Sequence, residues 1–282
     1  MKIIITLTYN LLFTAILFSQ TLNMAIKLDK KEYYIYEPIG IIIEITNESS
    51  EPISFAYDPF TSNFNLAITY NGKKSNCQGE SENAFRPIVL ESGETYYRSY
   101  NMLAPFGCTN SPYEKGLYLD HLMEGDYTIE LEYNFGKKIL NKEDLKVKSN
   151  KLDFVVKKPH NIIHKTQLKK CLDIFRNFKK INIDAFSDAM TEIIELDKYS
   201  PYSIFATKCL ISRYKFSKYS KARELMFNFC KDFPNSNLAL SFSMNDSEVL
   251  EKIINSKELN GKFIQKYSKK IKKANVKIKY VK

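Results

Sequence analysis

With 282 residues, 44% of them apolar and 26% charged, the chain is long enough for two domains and too apolar for global disorder. Its formal net charge of +10 is uneven: residues 1–158 hold 17 Lys and Arg against 20 Asp and Glu (−3), and residues 159–282 hold 25 against 12 (+13). That asymmetry predicts two modules, and three His and nine scattered Gly leave little from which to build a His-centred or phosphate-loop enzyme.

The first segment reads "MKIIITLTYNLLFTAILFSQTLNMA". Lys2 precedes an apolar run from Ile3 to Phe18, and small and polar residues follow, which is the layout of an export leader. The run is interrupted by Thr6, Thr8, Asn10 and Thr14, and it falls short of the roughly 20 apolar residues needed to span a bilayer. The expectation is a signal peptide over 1–25, with cuts near Ser19, Gln20 or Ala25, and an exported protein, periplasmic or released.

Short β-branched segments then alternate with turn signals. Ile41, Ile43 and Ile45 alternate with Ile42, Glu44 and Thr46, and "TNESSEP" ends that strand. Further strands are predicted at 53–57, 64–70, 86–90, 94–102, 126–134 and 151–156, with turns at Asn71-Gly72, Ser92-Gly93 and Gly136. Leu122 and Gly125 stand just ahead of Tyr127, which fits a tyrosine whose hydroxyl bonds back to nearby backbone at a sandwich corner. On these residues, and on the opening Tyr33-x-x-x-Glu37-Pro38-Ile39 with Asn47-x-Ser49 after it, residues 26–158 resemble the immunoglobulin-like domains of exported bacterial proteins. The resemblance implies an antiparallel β-sandwich; the core Trp of antibody domains is missing, since the chain has no Trp.

Five Cys is an odd count. Cys77 and Cys108 share the first module and are the candidate disulfide if the chain meets oxidising conditions, with two unpaired thiols as the alternative. The long segment 103–121 carries Pro and Gly and is expected to be a surface excursion.

After an expected linker over 155–165 the apolar period becomes helical. In 166–180, Leu168, Leu172, Phe175 and Phe178 fall mostly at helical spacing. Two stretches then match 33 residues apart. Phe186, Ala189, Ile193, Leu196 and Pro201 have the same offsets as Tyr219, Ala222, Met226, Phe229 and Pro234. Each makes an apolar stripe with a small residue for close approach and a Pro that ends the helix. This framework of Phe186, Ala189, Pro201, Tyr219, Ala222 and Pro234 resembles the second helix of a tetratricopeptide (TPR) repeat, whose period is about 34. The leading helix departs from that family: its Gly position is Leu210 and its early aromatic position is Ala206. A third unit would start at "NSNLALSFSM", and the helical domain is expected over 159–256.

Residues 257–282 hold ten Lys and one acid, a basic tail suited to peripheral contact with an anionic surface. His160 and His164 stand at metal-ligand spacing, but Asn161 replaces the Glu of the metalloprotease motif. The reading is therefore a multidomain β + α chain, an N-terminal immunoglobulin-like β-sandwich followed by C-terminal TPR-like helical hairpins. No catalytic motif, cofactor or metal is implied, and no nucleic-acid motif accompanies the charge. A non-enzymatic binding or scaffold role toward a protein or envelope component follows. The alternatives are a protease inhibitor acting through 103–121 and a hydrolase using His121.

Overall fold

The computed structural model describes residues 22–56, 64–78, 87–102, 122–135, 145–176, 181–215 and 217–256, and the chain is a mixed β and α protein. Its strands are β1 (Leu22–Leu28), β2 (Glu32–Tyr34), β3 (Gly40–Asn47), β4 (Ile53–Ala56), β5 (Phe64–Tyr70), β6 (Lys73–Gln78), β7 (Pro87–Leu90), β8 (Thr95–Asn101), β9 (Gly125–Phe135), β10 (Leu145–Lys148) and β11 (Leu152–Lys157). The helices are α1 (Ile162–Arg176), α2 (Ile183–Leu196), α3 (Pro201–Tyr214), α4 (Tyr219–Asp232), α5 (Asn237–Asn245) and α6 (Ser247–Asn255).

One sheet has the order β1-β3-β8. A second has the order β2-β11-β9-β5-β6, with β10 also on β9, and β4 and β7 form a third. The pairings are antiparallel except β2 with β11. A single buried cluster joins the first two sheets: Ile41, Ile43 and Ile45 of β3 belong to the same core as Leu66, Ile68, Ile129 and Leu131. Strand β3 is covered on both faces, because Ile42, pointing the other way, is 4% exposed and belongs to the helical core.

Two asparagines close the sheets where strands cannot. The buried Asn47 side chain donates to the carbonyls of Glu51 and Leu90, and its oxygen accepts from the Ser49 amide and hydroxyl. That is the work of the Asn-x-Ser pattern, an amide using its donors and acceptor to end one strand and begin the next turn. The Asn150 side chain accepts from Ile26 N–H (2.8 Å) and donates to Ile26 C=O (3.2 Å). It pairs with β1 as a strand residue would and ties the first sheet to the second.

The expected corner is present. Tyr127 Oη donates to Met123 O and Tyr70 Oη to Glu124 O, each at 2.9 Å, and the two rings stack at 4.8 Å. Gly125 lies beneath them at φ 149°, where a Cβ would come within 2.5 Å of the Tyr70 ring. A side chain there would be strained by the backbone and would collide with the ring.

The seven strands anticipated by alternation all form. The other four left weaker signals: β1 lies partly inside the segment read as leader, β2 is three residues long, and β6 and β10 read "KKSNCQ" and "LKVK". Strand β1 begins at Leu22, ahead of the expected module start at 26. Helix α1 begins at Ile162, inside the expected linker, and Asn182 caps α2 through a bond from Ala185 N–H.

The buried positions of α2 and α4 do not follow the register of the matched motif. In α2 the buried residues include Phe186, Met190 and Ile193; in α4 they include Ala222, Met226 and Phe229, each 36 positions later. The 33-residue match instead aligns Leu196, 42% exposed, with the buried Phe229, and the buried Phe186 with Tyr219, 43% exposed. Pro201 is the first residue of α3, capped by Ser200, while Pro234 lies in the turn before Ser236, which caps α5. Ala189 is half-buried on α2, whereas Ala222 is fully buried on α4.

Candidate functional surface

The helical layer is seated on the β layers through a buried joint. Asn237, 2% exposed at the start of α5, donates through its side chain to Lys27 O (3.2 Å) and Gly40 O (3.0 Å). Its backbone N–H donates to Asp29 Oδ2, and its carbonyl accepts from Ser99 Oγ at 2.7 Å. A carboxylate at a helix N-terminus is favourably placed. Gly40 makes the approach feasible: a Cβ there would stand 2.7 Å from Leu238 N.

Beside the joint, the β2–β3 turn pushes Tyr34, Tyr36 and Glu37 toward α1 and α3. Tyr36 takes φ 67° and meets Phe205 edge-on at 6.1 Å. Glu37, 6% exposed, bonds Lys30 Nζ at 2.5 Å and accepts from Tyr34 N–H at 2.9 Å. Burial raises its carboxyl above the ordinary range, although Lys30 opposes the shift.

A polar knot then joins α1 to the α2–α3 turn. Gln167, fully buried, donates to Ile193 O (2.7 Å) and Ser203 Oγ (3.2 Å). Ser203 Oγ donates to Asp197 O, and Ser200 Oγ accepts from Ser203 N–H. His164 Nε2 stands 3.3 Å from Asp197 Oδ2, between the rings of Tyr34 and Tyr202. Ser, His and Asp therefore meet here, but in bonds that cap helices: both hydroxyls are committed to backbone and to each other. His164 is part of this packing. Among the described residues no group of three or more His, Cys, Asp or Glu could hold a metal ion.

This knot brings apolar residues together on the outside. Ile162 (75% exposed) and Ile163 flank His164, and Leu196 and Tyr199 (66% exposed) flank Asp197. Tyr199 lies edge-on to Phe233 at 5.9 Å, and Lys198 bonds Asp232 at 2.9 Å. Four large apolar side chains thus sit exposed at two helix ends that the His164–Asp197 bond links. Clustered exposure of this kind marks interaction surfaces more often than single exposed residues do.

The sequence singled out none of these four as surface residues; Leu196 was read as core. A stripe analysis finds the buried face of a helix but not the ends of neighbouring helices that meet in space. Of the expected disulfide, Cys77 is in β6 with its side chain outside the described residues, and Cys108 lies wholly outside them. The segment 103–121, His121 and the basic tail 257–282 lie outside them too. Cys171 and Cys230 are buried thiols, and burial is the main reason both are raised well above the ordinary range.

No family model and no curated protein matches the sequence. Among solved structures, the CARDB domain of the PF1109 protein from Pyrococcus furiosus, solved with di-metal ions, is 13% identical over 50% of this chain and 96% of its own, with a TM-score of 0.26. The putative ApaA protein from Bordetella pertussis is 14% identical over 50% and 97%, with a TM-score of 0.29. Spo0M, a sporulation control protein from Bacillus subtilis, is 8% identical over 54% and 55%, with a TM-score of 0.28. Likenesses this weak assign neither fold family nor function.

Proposed function

We propose that the chain is an exported, non-enzymatic binding protein, an immunoglobulin-like sandwich that carries a TPR-like helical layer and presents one apolar edge to a protein partner of the cell envelope. The strand arrangement supports the first part. Sheets ordered β1-β3-β8 and β2-β11-β9-β5-β6 that share one core, with Tyr127 bonded back to Met123, support the immunoglobulin-like reading of two sheets and a tyrosine corner. Neighbouring helices with buried positions of α2 and α4 at a spacing of 36 residues support the second, slightly longer than the roughly 34 of the family.

The observation that carries the binding role is the exposed edge of Ile162, Ile163, Leu196 and Tyr199, held by bonds that leave no free nucleophile beneath it. A partner segment that buries aliphatic and tyrosine side chains fits it. The Lys-rich tail adds peripheral attraction to an anionic surface.

The test is retention of envelope proteins by the immobilised chain and by an Ile162→Asp, Tyr199→Ala double variant. Both positions are exposed, so the variant should melt as the parent does. A species retained by the parent and lost from the variant supports the reading. Identical retention by both removes this edge as the binding surface.

A further inference from the structure

Helices α1 and α3 pack together and start side by side. The His164 ring meets the Tyr202 ring edge-on at 6.1 Å, and Gln167 Nε2 stands 3.2 Å from Ser203 Oγ. Beyond that bond the α1 face continues through Cys171 and Ile174, and the α3 face through Ala206 and Cys209, at helical spacing. At about 1.5 Å per residue, Cys171 lies about 6 Å along α1 from the bond and Cys209 about 9 Å along α3, so the two are offset by only about 3 Å. Ala206 is fully buried on this face, and its small side chain lets the helices approach closely. Cys171 is fully buried in the helical core, and Cys209 is half-buried against it. Burial first, and the Cys209 thiol second, push the Cys171 thiol up, an interaction that requires the two sulfurs to be near each other.

We propose that Cys171 and Cys209 are a modification site, a thiol pair that closes to a disulfide and staples α1 to α3 when the chain meets a disulfide-bearing oxidant. The half-buried Cys209 is the entry point. Its thiolate attacks one sulfur of a small disulfide R–S–S–R, forming a mixed disulfide and releasing one R–S⁻, which takes up the proton Cys209 lost. Cys171, fully buried, does not start the exchange; its sulfur attacks the Cys209 sulfur of the mixed disulfide, expels the second R–S⁻ and passes its proton to it. In sum two S–H bonds are lost and one S–S bond is made, and the two electrons removed reduce R–S–S–R to two R–SH. The pair differs from the Cys77 and Cys108 suggested by shared module, and it holds two neighbouring helices on either side of α2. The packing argument stands without the export reading, which supplies only the oxidising surroundings.

The experiment incubates the full, folded chain, first reduced, with excess oxidised glutathione. Remaining thiols are alkylated under denaturing conditions, and the tryptic peptides are read by mass. Trypsin releases Cys171 in residues 171–176 and Cys209 in residues 209–213. The expected result is those two peptides joined, two hydrogens lighter than their sum, in most molecules. The oxidised chain should also melt roughly 5–10 °C above the reduced one. Cys209→Ala, a change at a half-buried position, should leave Cys171 alkylated and abolish that rise. Recovery of both peptides alkylated separately overturns the inference. So does Cys209 left carrying glutathione, or joined to Cys77, Cys108 or Cys230. An equal rise in the Cys209→Ala variant would assign the stabilisation to other cysteines and overturn it as well. Because purified protein is used, none of these outcomes depends on whether the chain is exported.

Discussion

The β layers and the helical layer are assembled from the same apolar residue types but are fixed by different devices. In the sheets, alternation fixes which side chains face inward, and side-chain amides at Asn47 and Asn150 complete the backbone pairing at the edges. In the helices, stripes fix a face but not its depth along the neighbour, and the register comes from caps and inter-helix bonds at Asn182, Gln167, Ser200 and Asp246. A strand shifted by one residue inverts every side chain, whereas a helix can be matched a turn away with its stripe still intact. That is why the strands were read in place, whereas the inward face of α2 was read with Leu196, which is 42% exposed.

The sharpest way to break this comparison is to test the two registers directly. Ile193→Ala should destabilise by about 2–5 kcal/mol, as for a buried aliphatic deletion, and Leu196→Ala by less than about 0.5 kcal/mol. Urea unfolding of the two variants checks this, and a comparably large cost for both would restore the 33-residue alignment, in which both positions face inward. Next in size is the joint itself. Gly40→Val places a side chain against Leu238 N and should cost about 2–3 kcal/mol by overpacking. Its effect should appear in both near-UV tyrosine signals and helical ellipticity, because Ile42 and Tyr36 of the β module belong to the helical core.

Smaller effects sharpen the account of the sheets. Asn150→Ala leaves Ile26 N–H and C=O without their partner and should cost about 1–3 kcal/mol. Tyr127→Phe removes a single bond to Met123 O and should cost about 1 kcal/mol, measured in the same urea series.

The two buried carboxylates give the smallest and most diagnostic effect, because they are shifted in opposite directions. Glu37 is raised by burial. The unfolded chain then loses its proton first, and stability falls as pH rises from about 4.3 toward the raised folded value. Burial also pushes Asp246 upward, but bonds from Tyr219, Arg223 and Val249 N–H, with the Arg223 charge, outweigh it and hold the carboxyl low. Its contribution is present above about 3.9 and is lost as pH falls through the folded value. Glu37→Gln should therefore gain on the parent as pH rises above about 4, whereas Asp246→Asn should gain on the parent as pH falls below about 4 and hold a constant deficit above it. Urea midpoints across that range check the pair, and slopes of the same sign would refute it.

What could be read in advance was local. Ile41, Ile43 and Ile45 announced a strand, Asn71-Gly72 became the two-residue turn of the β5–β6 hairpin, and Tyr127 after Gly125 marked the corner. The candidate surface was not legible, because Ile162 and Tyr199 lie 37 positions apart and the helix ends that carry them are linked only in space, by His164 and Asp197.

The sequence by itself determined the secondary-structure types, the change from a two-residue to a helical apolar period near residue 160, and the turn chemistry. Each of these depends on near neighbours along the chain. Only the tertiary structure decided that β1 extends into the segment read as leader, that β3 is buried on both faces, and that Gly40 exists to admit α5. It also decided which residues of α2 and α4 are buried, at positions 36 apart. Those outcomes depend on which distant backbone comes within contact distance, and a pattern along one chain does not encode that distance.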